Sequence, residues 1–579
     1  MRIRKPAHCM PAIILALLLF QAFSSSAAEI VLEGTQASRV KIVMREIVDP
    51  FPGMKTLELR FVEPKSFESP TYRQKIDALR FEFDPAPASR IQEIDDTGNR
   101  VHIVHWSSVD SPVRASLTYE AEVQAKAIAL TTDAPYPPTD LPSELDLYLQ
   151  PSPQVQSSHK RIKTLSRELT VGASDQYEVV MAVMRHVIDN MEYILLPEHF
   201  DALSCLTTGK GNCQNYSHLA AALLRAAGVP VRIVNGITLK KPYSLEAGAY
   251  TYSFESAQGR HSWIEVWFPE TGWLPFDPQR TAWWVETRYI RVEVGRDNAD
   301  TDQDGTVQWS ALRGSPGQPR VDEQIEVTFL RDQIALRTVG EEPGTEEVLL
   351  RPVIGRDTPA SKTPSRPSPE KPRDETPEEI DYASLTYNVP YTYGNKEFPR
   401  LFNFLEARIA GPDRSNRNRL EKNFVVETAE YVTGPKVFAQ YFDPGSPLLL
   451  EEIKLALFSF GGDGSLWIDL HEDEGGRPGI RLASSQPVSP SDFMNPKGYD
   501  WVAFDFRRES LGLGPGGYWM VLRSRGAPIV NWFYCYGKAV GPARGTLSTP
   551  QDGETFTTIQ TYEFNYMIAG KGAKELMEE

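Results

Sequence analysis

The stretch that most constrains the fold is a predicted helix whose first turn carries a cysteine. From Gln214 to Ala227 the apolar residues recur at helical spacing, and Gly228 followed by Val-Pro is a typical stop signal. Asn212 is a candidate N-cap, which places Cys213 in the first turn. The amides and the helix dipole at that end favour an anionic sulfur, the reactive form of a cysteine.

A predicted β-hairpin further along the chain carries a histidine and an aspartate. Residues 261–268 show strand periodicity, Pro269-Glu-Thr-Gly is typical of a turn, and residues 273–276 run back. A hairpin centred near Pro269 would place His261 directly opposite Asp277, within contact distance. The aspartate would then hold one imidazole tautomer and leave the other ring nitrogen for a thiol.

Together these segments supply the three groups needed for covalent acyl transfer. Cys213 is the candidate nucleophile, His261 the base and Asp277 the carboxylate that orients it. The backbone amide of Cys213 is a candidate oxyanion donor. His218, five residues after the cysteine, is expected to face elsewhere on the helix.

Three further residues are candidates for substrate binding. Trp263 and Trp273 either wall a cleft or pack in the core, and the sequence leaves both readings open. Gln214 follows the cysteine and is a candidate contact, although capping or solvation of the helix end explains it more simply.

In this order and spacing, the segments resemble the transglutaminase-like core of bacterial secreted or periplasmic proteins. The matching pieces are Val179–Met191 with Tyr193, Gly209-Lys-Gly-Asn-Cys213, Arg225-Ala-Ala-Gly-Val-Pro-Val-Arg232, His261-x-Trp-x-Glu, Gly272-Trp-x-Pro-Phe-Asp277-Pro and Tyr289 to Asp297. They fall within residues 175–309, about a quarter of the chain. One departure is Gln279, where many relatives have Thr.

The resemblance implies an α+β core in which the cysteine helix packs on an antiparallel sheet, as in papain and transglutaminases. It implies the roles given above for Cys213, His261 and Asp277. It also implies attack on a peptide or carboxamide carbonyl of a protein or peptide, through a thioester and without a cofactor. Hydrolysis and transfer to an amine both remain open as the second step.

Strand patterns on both sides of the core predict a multidomain chain. Lys55–Phe61 and Val101–Trp106 alternate in the manner of a small β-sandwich. Short aromatic strands near the C-terminus favour a jelly-roll-like β-sandwich, in which Arg525–Pro528 is predicted to close a hairpin. The predicted units are a signal peptide 1–28, an N-terminal domain 29–150, a catalytic domain 151–354, a Pro-rich linker 355–382 and a C-terminal domain 383–579.

The C-terminal aromatic residues permit a second function class. Exposed Trp and Tyr side chains would bind a cell-envelope glycan, whereas buried ones would fill the core. A non-catalytic envelope scaffold that binds glycan or protein through this domain is therefore the alternative to an enzyme.

The N-terminus predicts export. Arg2, Arg4 and Lys5 precede a nine-residue apolar stretch, Ala12 to Phe20, and small residues up to Ala28. This pattern is typical of a signal peptide cut after Ala28, and the stretch is too short to span a bilayer. A periplasmic or secreted protein, not a membrane-spanning one, is expected.

Charge excludes one class of partner. Without residues 1–28 the chain would carry 58 basic and 77 acidic residues, a net charge of −19. A surface of this sign disfavours nucleic acid as a partner.

A short acidic run resembles half of a calcium loop. Asp300, Asp302 and Asp304 are followed by Gly305, but position twelve would be Ala311, which cannot close the loop. No metal is expected, and these three aspartates remain weak calcium candidates.

The exported chain would retain three cysteines. An odd count is consistent with one free catalytic thiol at Cys213. Cys205 and Cys535 are either a disulfide or two buried thiols, and the sequence does not decide between them.

Overall fold

The computed structural model describes residues 28–128, 132–194, 197–248, 250–279, 284–315, 317–339, 348–352, 385–394, 408–410, 418–421, 429–495, 499–535, 545–550 and 555–573. The predicted linker, and the predicted signal peptide up to residue 27, lie outside these ranges. None of the helices in the described ranges is long and apolar enough to cross a bilayer.

The cysteine helix lies at the centre of the helical layer. The α-helices of the described residues are α1 Lys160–Thr170, α2 Gln176–Asn190, α3 Ala202–Thr208 and α4 Cys213–Ala226. The predicted helix is confirmed as α4, which begins directly after Asn212 and ends before Gly228 (φ 83°). Its residues are buried from Cys213 to Arg225, because helices cover one side and a sheet covers the other.

Long strands precede the core. They are β1 Ala28–Asp49, β2 Met54–Val62, β3 Phe67–Glu68, β4 Tyr72–Asp84, β5 Ser89–Ile94, β6 Arg100–Trp106 and β7 Val113–Ala127. The predicted strands at 55–61 and 101–106 are confirmed as β2 and β6, which pair with Leu57 opposite Trp106.

A four-stranded antiparallel sheet supports the cysteine helix. The core strands are β8 Glu192–Tyr193, β9 Lys210–Gly211, β10 Val231–Thr238, β11 Tyr243–Ala247, β12 Tyr250–Phe254, β13 Gly259–Phe268, β14 Gly272–Phe276 and β15 Tyr289–Gly295. The strand order of this sheet is β14-β13-β10-β15. Ile233, Ile264 and Val266 pack in the helical layer, whereas Trp263 and Tyr289 pack with the N-terminal strands.

Strands that follow the core return to the N-terminal sheets. They are β16 Thr306–Ala311, β17 Arg320–Val339 and β18 Val348–Pro352. β16 pairs with β2, and β17 pairs with β1 from Asp49 to Val31. The predicted domain boundaries stay a prediction, but these sheets join strands from before and after the core.

The C-terminal part is built around two long antiparallel strands, Leu448–Asp473 and Tyr518–Cys535. Its strands are β19 Tyr387–Tyr393, β20 Arg408–Ala410, β21 Asn418–Glu421, β22 Ala429–Tyr431, β23 Phe438–Phe442, β24 Leu448–Asp473, β25 Pro478–Ser484, β26 Asp500–Asp505, β27 Gly512–Leu513, β28 Tyr518–Cys535, β29 Thr546–Ser548, β30 Thr558–Gln560, β31 Glu563–Phe564 and β32 Tyr566–Ala573. β30 also pairs in parallel with β12, which attaches this part to the core.

The predicted hairpin at Arg525–Pro528 is wrong. β28 continues through it as one strand and pairs with β24 along the way, with Gly526 opposite Gly464. Gly526 has a φ of 87°, and a Cβ there would lie 2.6 Å from the Asp463 carbonyl oxygen. The glycines leave room for the backbone of the opposing strand. The paired strands β24 and β28 can therefore bend together here, and the chain does not reverse.

Candidate active site

Cys213 is the first residue of α4, and a local capping network fixes it there. The Asn212 side chain accepts a hydrogen bond from the Gln214 amide (3.1 Å), and Asn215 Oδ1 accepts one from the Asn212 amide (3.1 Å). A Cβ on Gly211 would lie 2.2 Å from the Asn215 Cβ, so this cap requires glycine. The predicted N-cap is thus confirmed, and the Cys213 thiol, in a residue 3% exposed, lies at the positive end of the helix.

His261 and Asp277 meet, but not as directly opposed residues. Ile264 pairs with Phe276, so the hairpin is centred one residue later than predicted and the register would put Asp277 beside Trp263. The carboxylate nevertheless reaches diagonally, and Asp277 Oδ2 lies 2.8 Å from His261 Nε2. The contact survives the shift because diagonal neighbours remain within reach of longer side chains.

The imidazole links the carboxylate to the thiol. With Nε2 on Asp277, the other ring nitrogen, Nδ1, is left free to interact with the Cys213 thiol. Burial would lower the pKa of His261, but the charge and hydrogen bond of Asp277 and the contact with Cys213 raise it to about 10. Burial would raise the pKa of Asp277, but the charge and hydrogen bond of His261 hold it below its ordinary value. A protonated imidazole beside an ionised aspartate is therefore favoured.

Two further donors hold the Asp277 carboxylate. The Tyr289 hydroxyl donates to Oδ2 at 2.6 Å, and the Gln279 amide donates to Oδ1 at 3.0 Å. The Gln279 contact uses only the backbone, so the departure at that position leaves this bond intact. The sequence motif contains Tyr289 but does not predict it as a site residue. Its contact with Asp277 depends on how separate strands pack, which the sequence pattern does not reveal.

Residues 163–278 match the sequence profile of the transglutaminase-like superfamily. This stretch is a transglutaminase-like core. It lies in a multidomain, strand-rich chain with few helices and several sheets.

Relatives match this chain over part of its length. YebA of Bacillus subtilis, an uncharacterised protein, is 32% identical over 132 residues, which are 21% of this chain and 18% of YebA. A protein-glutamine gamma-glutamyltransferase of Pseudomonas aeruginosa is 35% identical over 94 residues, 16% of this chain and 12% of that protein. The crystal structure of a proposed cysteine protease from Cytophaga hutchinsonii has a TM-score of 0.40 and 20% identity, covering 52% of this chain and 99% of that one. The match to YebA thus spans less than a fifth of that relative's length.

The two tryptophans that were candidates for substrate binding, Trp263 and Trp273, pack against other side chains of the core. Trp263 is 1% exposed and stacks on His261 with ring centres 6.0 Å apart, so it supports the imidazole from the core side. Trp273 lies opposite Trp267, six residues along β13 from His261, or about 20 Å. Its ring packs under the Arg232 guanidinium at 4.2 Å.

The other polar residues of α4 have local roles. Gln214 is 5% exposed, and within the described residues its side chain has no hydrogen-bond partner. His218 lies away from the thiol, as predicted: the Asn298 amide donates to its Nε2 (3.2 Å), which leaves the Nδ1 proton for the Phe200 carbonyl (2.5 Å). Burial lowers the pKa of His218, so it is a neutral structural residue.

The three aspartates of the acidic run bind protein groups. Asp300 binds Arg296 (2.7 Å), and Asp304 binds Arg260 (2.6 Å) and the Val62 amide (2.9 Å). Asp302 Oδ1 accepts from the neighbouring glutamine amide. In the ranges that the structure describes, no three His, Cys, Asp or Glu side chains converge as metal ligands.

Cys205 is a free, buried thiol rather than half of a disulfide. Its sulfur lies 3.0 Å from the Met191 sulfur, and burial raises its pKa well above the ordinary value. It therefore packs as a small apolar residue. Trp519 and Trp532 of the C-terminal part are also fully buried, which favours core filling over glycan binding for these two.

Proposed function

We propose that this protein is a cysteine enzyme that acts on peptide or carboxamide bonds of protein or peptide substrates. The observation that carries the proposal is the arrangement of the three side chains. Cys213 lies at a helix N-terminus and its thiol interacts with His261, which Asp277 holds at 2.8 Å. Separate sequence segments place these groups in the order that nucleophilic catalysis needs.

In the first step, the Cys213 thiolate attacks the carbonyl carbon and forms a C–S bond. The oxygen of the tetrahedral intermediate takes the negative charge, and the backbone amide of Cys213 is the proposed donor to it. As the C–N bond breaks, His261 gives its proton to the departing amine or ammonia. A thioester on Cys213 and a neutral imidazole remain.

In the second step, His261 takes a proton from the acceptor that attacks the thioester. Water gives a carboxylic acid, and an amine gives a new amide; in both cases the sulfur leaves as thiolate. We favour hydrolysis, because water is the default acceptor unless a site excludes it. No step requires a cofactor.

The test is alkylation of Cys213 by iodoacetamide across pH in wild type, His261→Ala and Cys205→Ser. We expect labelling at neutral pH that collapses in His261→Ala and is unchanged in Cys205→Ser, because His261 interacts with the Cys213 thiol whereas the Cys205 sulfur contacts that of Met191. Cys213 is 3% exposed, so the shape of the pH profile matters more than the absolute rate. Limited access lowers every rate equally, whereas an activated pair changes the profile. An ordinary thiol profile, the same in His261→Ala, would favour the scaffold alternative.

We further propose the predicted domain division, with sandwich-type β domains around the core, and export through the predicted signal peptide to the periplasm or the exterior. Binding of an envelope glycan by residues 383–579 is a weaker proposal. Retention of the full chain on cell-wall polymer would support it, and free passage would count against it.

A further inference from the structure

The carboxylate oxygen that binds His261 has a second donor. Asp277 Oδ2 accepts from His261 Nε2 at 2.8 Å and from the Tyr289 hydroxyl at 2.6 Å. The other oxygen accepts from the Gln279 amide at 3.0 Å. The Asp277 carboxylate thus contacts two polar side chains, the His261 imidazole and the Tyr289 hydroxyl, and Tyr289 comes from a separate strand, β15.

The structure fixes the Tyr289 ring from several sides. Tyr289 is fully buried, and its carbonyl accepts from the Tyr72 hydroxyl at 2.7 Å. Its ring meets Trp263 edge-on at 5.3 Å and His261 at 5.7 Å. Such a ring has little freedom to move, so its hydroxyl presents a fixed donor to Asp277.

A glycine makes this arrangement possible. Gly236 lies on β10, directly opposite His261 and between the strands that carry His261 and Tyr289. A Cβ there would lie 2.5 Å from Trp263 Cη2. Any larger residue would push the tryptophan away from the two rings that it contacts.

We propose that Tyr289 is a positioning residue of the active site: its hydroxyl holds the Asp277 carboxylate in the orientation that keeps His261 aligned on Cys213. This inference rests on the proposed function. Tyr289 touches no reacting atom, so its effect would pass entirely through Asp277. Without the hydroxyl, the carboxylate would rotate more freely, and its charge would face the imidazole less of the time.

The test is Tyr289→Phe, which removes one hydroxyl and keeps the ring packing. Tyr119→Phe is the matched control: Tyr119 is fully buried in the same apolar cluster, and its hydroxyl contacts Met44 Sδ at 4.0 Å. Alkylation of Cys213 is followed across pH in wild type, both Phe variants and His261→Ala. The chemical shift of His261 in histidine-labelled protein reports its titration independently of the labelling rate.

In Tyr289→Phe we expect labelling at neutral pH to fall about tenfold, a change typical of losing one hydrogen bond to a charged group. The basic limb of the profile and the His261 titration should both move to lower pH, because a loosened carboxylate stabilises the imidazolium less. Tyr119→Phe should match wild type in both. A role in packing alone would lower melting temperature without moving the titration.

Each outcome has one meaning. If His261→Ala loses labelling while Tyr289→Phe matches wild type, the positioning role is refuted and the proposed function stands. A shift to higher pH would also refute it, since the hydroxyl would then weaken the Asp277–His261 contact. If wild type and His261→Ala label alike, the proposed function fails and the positioning role fails with it.

Discussion

Replacing Glu265 with glutamine removes a charge that two buried arginines share. Glu265 is on β13, four residues after His261, and its side chain is 0% exposed. Its oxygens lie 2.5 Å from Arg232 Nε and 2.8 Å from Arg291 Nε, and these side chains are only 13% and 9% exposed. The carboxylate therefore joins β13 to β10 and β15.

The cost follows from burial. Removing one partner of a buried ion pair costs about 3–5 kcal/mol, because the remaining charge has no compensation. Arg232 stacks on Trp273 at 4.2 Å and Arg291 on Phe67 at 4.5 Å, so each guanidinium keeps a second favourable contact in the variant, which places the cost at the low end of that range. We therefore expect Glu265→Gln to destabilise the sheet by about 3 kcal/mol.

Hydrogen exchange of the amides of β10, β13 and β15 measures this loss locally, so the result does not depend on how the other domains unfold. A loss of about 3 kcal/mol corresponds to roughly a hundredfold faster exchange. The matched control is Glu82→Gln, whose pair with Arg80 is exposed (58% and 74%). That change should cost less than about 1 kcal/mol.

Acid pH gives a second check. Burial would raise the pKa of Glu265, but the two guanidinium groups hold it below its ordinary value of 4.5. Its stabilising effect is then present above pH 4.5 and is lost as pH falls through the lower folded value. Exchange rates of wild type and Glu265→Gln should converge there. Equal rates at neutral pH would refute the reasoning, since the arginines would not depend on this charge.

Three further changes have defined outcomes. The pKa of His261 is raised from 6.5 to about 10, so the stabilising effect of the protonated imidazole is complete below pH 6.5 and is lost as pH rises through about 10. In His261→Gln the melting temperature should no longer fall over this pH range. Burial and the charge of Glu255 raise the pKa of Glu430 from 4.5 to about 8, so the stabilising effect of its contact with Glu255 is complete below pH 4.5 and is lost as pH rises through about 8. Glutamine at position 430 cannot ionise, so Glu430→Gln should preserve that contact at alkaline pH. The amides of β22 should then keep the protection from hydrogen exchange that they have at acid pH. Gly236→Ala should lower both the melting temperature and the rate of Cys213 labelling, because the new Cβ would meet Trp263 Cη2 at 2.5 Å and the Ile290 carbonyl oxygen at 2.0 Å. Wild-type values for both quantities would show that the sheet can adjust.

Prediction from sequence succeeded where neighbours along the chain decide the structure. The start of α4 follows from Asn212, whose side chain caps the amide two residues later in the chain, and strands β2 and β6 follow from alternation of apolar residues. It failed where a local signal had two meanings. Gly526 and Pro528 resemble a turn, but β28 continues through them while it stays paired with β24.

The sequence by itself determined which groups carry the chemistry: a cysteine in a first helical turn and a histidine and an aspartate on one hairpin. Only the tertiary structure decided how they meet. The one-residue shift in register made the His261–Asp277 contact diagonal, and Tyr289 joined it from a strand that is not adjacent to that of His261. The physical reason is that capping and periodicity act over a few residues, whereas the partner of a buried polar group is set by the packing of distant segments.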